Sequence, residues 1–351
     1  MNLFYIGLIG SSGYAIGTRY FIFNYLMDGC KVTYQPITAD NSAPHDSDII
    51  TTTVSDCIYN QYSNYDYLVC NFVPDYFKDK DYSHIGDRNY KKVLQTVWET
   101  TRISEDWVEY INNSDFNELW LPSNFNKKAF EDSGVTIPIK IKKYISYNFI
   151  NKKSKDEVDL LPTLKFGDSD ITQTYNFYNI STWNTRKNNL NTIKTFCDTF
   201  TNNDNVSLLI KTNDFSYYPE FITLLKAQIE ELLKKYSNPP TLVFYCENYT
   251  TSQINDIHNL GDCYYLLHRG EGLGFSSYDA YLNHKPVITT GFGGHKEYFS
   301  DNYPYFVDYK LTNVFGMDNI VWYKHEHEWA EPNYEHARYL LKHIYDTHKW
   351  F

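Results

Sequence analysis

Short apolar runs recur along the chain, and most are followed by a stretch with apolar residues at helical spacing. This alternation constrains the fold more than any other feature. It calls for parallel strands joined by crossover helices, the α/β class. In the first series the strands are expected at 3–9, 31–37, 67–72, 92–98, 118–122 and 135–141, with helices over 14–28, 104–112 and 124–132. Residues 151–172 change character: NKKSKDEVD and GDSD are polar and charged, the mark of a linker. A second series follows, with strands at 176–180, 206–211, 241–246, 264–268 and 286–290 and helices over 188–201, 220–236, 252–260 and 275–283. The longest of these carries Leu224, Leu225, Ile229, Leu232 and Leu233 at helical spacing and is stopped by Asn238-Pro239-Pro240. The tail from Asn333 reads as an amphipathic helix.

A length of 351 residues is enough for two such halves, at about 100–200 residues per domain. We expect domains over 1–150 and 173–333, with 151–172 joining them and a closing helix at about 334–351. In doubly wound sheets ligands sit beyond the carboxyl ends of the strands, so two facing sheets place a site in the cleft between them.

Charge narrows the partners. The net charge of −11 argues against a broad phosphate-neutralising surface, so nucleic acid is not the expected partner. No apolar run approaches the roughly 18 residues of a membrane span. The N-terminus, MNLFYIGLIGSSGY, lacks a basic leader and turns glycine-rich at once, so it is read as a first strand and the location as cytoplasmic. The six cysteines are scattered without a CxxC pair and are expected to be free, buried thiols.

The chemistry concentrates in 268–297: HRGEGLGFSSYDA, then PVITTGFGGHKEY. This is strand, glycine-rich loop, helix, strand, glycine-rich loop. Gly272 and Gly274 stand just before a helix start, where backbone N–H groups and the helix dipole suit a diphosphate. Glu271 lies on the loop and Asp279 eight residues later, about two helical turns on. The two carboxylates therefore meet a ligand at different depths and do not form an acid/base pair. His325-Glu326-His327-Glu328 lacks the i, i+4 histidine spacing of a helical metal site and is read as a solvated loop.

These motifs resemble the nucleotide-sugar site of retaining glycosyltransferases of the GT-B fold, glycosyltransferase family 4. The resemblance extends to Trp98-Glu99, Ser104-x-x-Trp107, Leu119-Trp120-x-Pro122-Ser123, Ser133-Gly134-Val135 and Trp329-Ala330-Glu331-Pro332-Asn333, in the family's order. It implies two Rossmann-like domains, an N-terminal one for the acceptor and a C-terminal one for the donor, with the closing helix crossing back to the first. It implies transfer of a sugar from a UDP- or GDP-linked donor to a hydroxyl of a glycan, glycoconjugate or protein, with retention and without a metal or cofactor.

Carried over residue by residue, Glu271 contacts the donor sugar, and Gly272, Leu273, Gly274 and Phe275 meet sugar and diphosphate. Asp279 takes the place of the acid that holds the ribose, usually Glu. Gly10, Ser11, Ser12 and Gly13 face the donor phosphates. The family's basic pair falls near Thr182, with Arg186, Lys187 and Lys211 as the candidate cations. A cation is needed there because the leaving diphosphate gains charge in the transition state. His268, ahead of the loop, is a further donor-binding candidate. Glu99, Gly293, Gly294 and Glu297 are expected near the sugar or acceptor, with a surface ion pair for Glu99 and a helix cap for Glu297 as the structural alternatives. Two other functions stay open: glycosylation of modified DNA bases, and a catalytically idle nucleotide-sugar-binding module.

Overall fold

The computed structural model describes residues 1–38, 48–85, 89–146, 150–213 and 218–348. Within the first part, six strands form one parallel sheet: β1 (Asn2–Ile9), β2 (Lys31–Thr38), β3 (Tyr67–Asn71), β4 (Lys91–Gln95), β5 (Glu118–Leu121) and β6 (Ile139–Ile141), in the order β2-β1-β3-β4-β5-β6. The register sets Ile6 opposite both Gln35 and Cys70. Helices α1 (Gly13–Met27), α2 (Ile49–Asp56), α3 (Glu105–Asn113) and α4 (Asn124–Asp132) connect and cover it.

Both faces of this sheet are apolar, as crossover helices on each side require. Ile6, Leu8, Cys70, Leu94 and Leu119 pack with Trp107 and Ile111 of α3 on one face. Leu3, Tyr5, Val32, Val69 and Val93 pack with Phe21 and Ile22 of α1 on the other. Ser12 caps α1 by accepting from the Ala15 N–H.

The second sheet has seven strands: β7 (Leu164–Phe166), β8 (Tyr175–Ile180), β9 (Val206–Lys211), β10 (Thr241–Tyr245), β11 (Cys263–Leu266), β12 (Val287–Thr290) and β13 (Phe306–Val307). Their order is β13-β12-β11-β8-β9-β10-β7. All pairs are parallel except β7 with β10, where Phe166 lies opposite Leu242. This edge strand falls inside the segment read from sequence as a linker. Helices α5 (Asn189–Thr199), α6 (Tyr218–Leu233), α7 (Thr251–Leu260) and α8 (Phe275–Leu282) flank it, followed by a hairpin of β14 (Tyr309–Asn313) and β15 (Glu328–Pro332) and by α9 (Tyr334–His348).

Helix α9 corrects an expectation. Its apolar stripe, Ala337, Leu340, Leu341, Ile344 and Tyr345, joins Ile193, Phe196 and Phe200 of the α5 region and Val307 of β13 in one core. Over its described residues the helix packs within the second domain, where a crossing to the first was expected. Residues 349–351, the end of the expected helix, lie outside the described residues. All six cysteines are free and buried. Among the described residues no helix is long and apolar enough to cross a membrane.

Candidate functional site

The second sheet changes direction at β8. The chain runs outward through β9 and β10, then returns to β11 on the other side of β8 and continues to β12 and β13. A ligand crevice forms at such a point because the two loops leaving the carboxyl ends diverge. The loop after β8 carries Thr182, Arg186 and Lys187, and the loop after β11 carries His268 to Gly274.

These loops bring four charged side chains together. Lys187 Nζ donates to Glu271 Oε1. The Arg186 guanidinium lies 3.8 Å from Glu271 Oε2 and 3.5 Å from Glu99 Oε1, the latter from the first sheet's β4 end. Arg186 Nη1 also donates to the Gly270 carbonyl at 2.7 Å. All four side chains are largely withdrawn from solvent. Burial alone would raise the Glu271 pKa, but Lys187 and Arg186 outweigh it and hold the carboxyl below its ordinary range. Glu271 is therefore an anion at neutral pH.

The loop after β8 is built for this. Asn188 sits in a left-handed conformation, and its side chain donates to the Leu267 carbonyl at 2.8 Å. Asn184 Oδ1 accepts from the Lys187 N–H, and its amide reaches Thr182 Oγ1. Arg269, unremarked in the sequence, holds the same loop from behind: its Nη1 donates to the Thr185 carbonyl at 2.6 Å, and it pairs with Glu331 at 2.7 Å. Trp329 beside it is fully buried, and the Ala330 N–H donates to the Arg269 carbonyl. The WAEP segment thus braces the site.

Gly274 caps the start of helix α8, and its φ of 63° is the left-handed region that favours glycine. Leu273 and Phe275 on either side insert into the first domain's core, with Phe275 edge-on to Tyr144 at 4.5 Å. Asp279 is buried and accepts from Ser146 Oγ at 2.6 Å. His268 and His295 meet edge to face at 4.7 Å beneath the loop. Burial pushes the His295 pKa down to about 4 and that of His268 well below its usual value, so both are neutral. Among the described residues both ring nitrogens of His268 are buried without a hydrogen-bond partner.

Two expected residues, Lys211 and Glu297, lie elsewhere. Lys211 ends β9 one strand away, over the Tyr249 ring, and no ion pair ties it to the cluster. Burial lowers its pKa to about 8. Glu297 takes the helix-cap role: its carboxylate accepts from the Asn124 and Phe125 N–H groups at 3.0 and 2.8 Å, across the domain boundary. His327, read as part of a solvated loop, is buried instead. Gly293 and Gly294 form the turn before Glu297, and the Gly294 N–H donates to the Glu271 carbonyl. Residues 10–12 form the turn between β1 and α1, which Gly13 opens; Ser11 and Gly13 are exposed.

The domains meet directly at the cluster. A Cβ placed on Gly270 would lie 2.3 Å from the Glu99 carbonyl oxygen, and one on Gly272 would lie 2.2 Å from Val97 Cγ2. The loop between β14 and β15 spans the same seam and was not read from the sequence. Tyr323 stacks on Trp98 at 4.6 Å and donates to Glu99 Oε2 at 3.0 Å, while Trp322 Nε1 and Trp107 Nε1 both donate to Asp75. Two adjacent aromatics in a polar stretch were the available signal.

No protein-family model matches the chain, and no curated protein matches its sequence. Solved structures do resemble it in shape. HepE of Anabaena, crystallised with UDP-glucose, superposes with a TM-score of 0.57 at 16% identity, covering 99% of this chain and 91% of that one. Sucrose-phosphate synthase from Thermosynechococcus elongatus gives 0.61 at 11% identity, covering 99% and 90%. The α,α-trehalose 6-phosphate synthase of Burkholderia multivorans gives 0.51 at 10%, covering 84% and 85%. With its two facing sheets, each flanked by helices, the chain has the GT-B fold.

Proposed function

We propose that the protein is a retaining glycosyltransferase that moves a sugar from a UDP- or GDP-linked donor to an acceptor hydroxyl. One observation carries the reading. Two fixed cations, Arg186 and Lys187, and the carboxylate of Glu271 converge at the switch point of the second sheet, beside the glycine-led start of α8. The GT-B fold, shared with a protein crystallised with UDP-glucose, supports it.

In this reading Arg186 and Lys187 stabilise the charge that develops on the leaving diphosphate. They do so without a divalent metal, because both are preorganised in a largely dry crevice. Glu271 accepts hydrogen bonds from donor-sugar hydroxyls, Asp279 faces the ribose, and Lys211 adds a positive group one strand away. The turn at residues 10–13 approaches the phosphates from the first domain. Retention follows from attack on the same face as the departing phosphate, which takes the acceptor proton. The acceptor is a glycan, a glycoconjugate or a protein, and it enters from the first domain.

The test is a donor panel. Release of nucleoside diphosphate is followed by chromatography for UDP- and GDP-sugars with simple acceptor glycosides, with and without EDTA. Proton NMR of the product then gives its anomeric configuration. The expected outcome is turnover with one base class, unaffected by EDTA, and a product of the donor's configuration. An inverted product, or release that requires a metal, contradicts the respective part of the proposal.

A further inference from the structure

The charges in the cleft already balance: Arg186 and Lys187 face Glu99 and Glu271. The first-domain carboxylate, Glu99, is the loosely held member. Its Oε1 stands 3.5 Å from Arg186, and its Oε2 accepts from the Tyr323 hydroxyl at 3.0 Å. Tight guanidinium–carboxylate pairs close to about 2.8 Å and use two parallel N–H groups. Arg186 does not reach that state with Glu99; the Tyr323 hydroxyl also hydrogen-bonds to it, and among the described residues its Nε is buried without a partner. A buried donor of this kind is costly to leave unmade, so the guanidinium retains capacity for an anion.

An incoming diphosphate cannot simply add to this site. The Gly270 backbone lies against the Glu99 carbonyl, and the charges of a diphosphate added to a cleft whose four charges already balance would be left uncompensated. Building on the donor-site reading above, we propose that Glu99 is an internal competitor for the donor diphosphate. It neutralises Arg186 in the unliganded cleft, and when a diphosphate arrives it gives up Arg186 and keeps only its hydrogen bond from Tyr323. Tyr323 can serve because it is fixed on the first-domain side, by its stack on Trp98 and by the neighbouring Trp322–Asp75 hydrogen bond. It is a positioning residue that holds Glu99 and also borders Arg186. The device keeps two buried cations paired when no donor is present and makes donor entry an exchange of one anion for another.

The two ends of this chain of contacts carry opposite predicted signs. Calorimetric titration of the full chain with inorganic pyrophosphate, UDP and GDP compares the parent with Glu99→Gln, Tyr323→Phe and the double variant. Glu99→Gln preserves shape and the hydrogen bond from Tyr323 but removes the competing charge, so it tightens pyrophosphate and cognate nucleotide by about tenfold, the scale of one charge-assisted hydrogen bond. Tyr323→Phe leaves Glu99 with Arg186 alone and weakens both ligands several-fold. The double variant stays closer to Glu99→Gln than the sum of the two single changes, since Tyr323 has no charge on residue 99 left to hold. Glu99→Asp, with a shorter reach, gives a smaller gain and serves if the amide variant fails to fold.

Equal or weaker pyrophosphate binding by Glu99→Gln overturns the proposal, as does simple additivity in the double variant or a lack of pyrophosphate binding by all forms. Tighter pyrophosphate binding without any nucleotide binding supports the competitor and discards the donor reading. Nucleotide binding with no gain from Glu99→Gln does the reverse.

Discussion

Glu271 shows how one side chain is held in two senses. Its carboxylate is buried, yet Lys187 and Arg186 keep it ionised. Replacing it with Gln removes the acceptor charge while keeping the shape, and transfer is expected to fall by about a hundredfold or more. Near-normal turnover of that variant contradicts its role. Because its folded pKa lies below the ordinary value, its ionised form stabilises the fold above that value. This contribution is lost as pH falls below about 4.5 and through the folded pKa. Glu271→Gln therefore loses less stability than the parent on acidification, read by denaturant titration at pH 6 and pH 3.

Lys211 behaves the opposite way. A folded pKa of about 8 against an ordinary 10.5 means that above pH 8 the unfolded chain binds a proton the folded chain does not. The parent therefore gains stability relative to Lys211→Met between pH 8 and 10. At neutral pH the variant is the more stable, by roughly 3 kcal/mol at most. A flat difference across that range contradicts the buried ammonium. At this scale the glycine-rich loop was legible because Gly272 and Gly274 stand just before a helix start, and its acids were picked out by their eight-residue spacing. Arg269, Trp322 and Tyr323 were not, since their partners are 62 to 247 positions away and only the fold brings them together.

Among the elements, α4 shows how the domains are coupled. Its first N–H groups are satisfied by Ser123 and by Glu297 from the other domain. Glu297→Ala leaves those N–H groups unmet and costs about 1 kcal/mol, read as a lowered midpoint of denaturant unfolding. An unchanged midpoint contradicts the cap. The strands and helices that carry the site were readable because each couples an apolar run with a helix stop or start. Helix α2 was missed since its stretch, IITTTVSD, is rich in β-branched residues with weak helical preference. Strand β7 was missed because three residues within a charged stretch give no periodicity. The amphipathic stripe of α9 was legible, but a stripe does not name the surface it meets, and here that surface is α5 and β13.

The whole molecule is two sheets pressed together along the carboxyl ends of β4, β8 and β11, with the α8 loop buried in the first domain's core. Composition and alternation foretold two α/β halves. They could not foretell how tightly the halves meet, because that depends on side chains from both. The most direct test of the account is a thermal-shift panel of UDP, GDP and their sugars, on the parent and on Arg186→Met/Lys187→Met. A ligand at a hundred times its dissociation constant stabilises the folded state by about 2.7 kcal/mol. The account predicts a clear rise in the parent with one base class and none in the variant. No rise with any nucleotide, or an equal rise in both proteins, contradicts the assignment of the Arg186–Lys187–Glu271 cluster as the donor site.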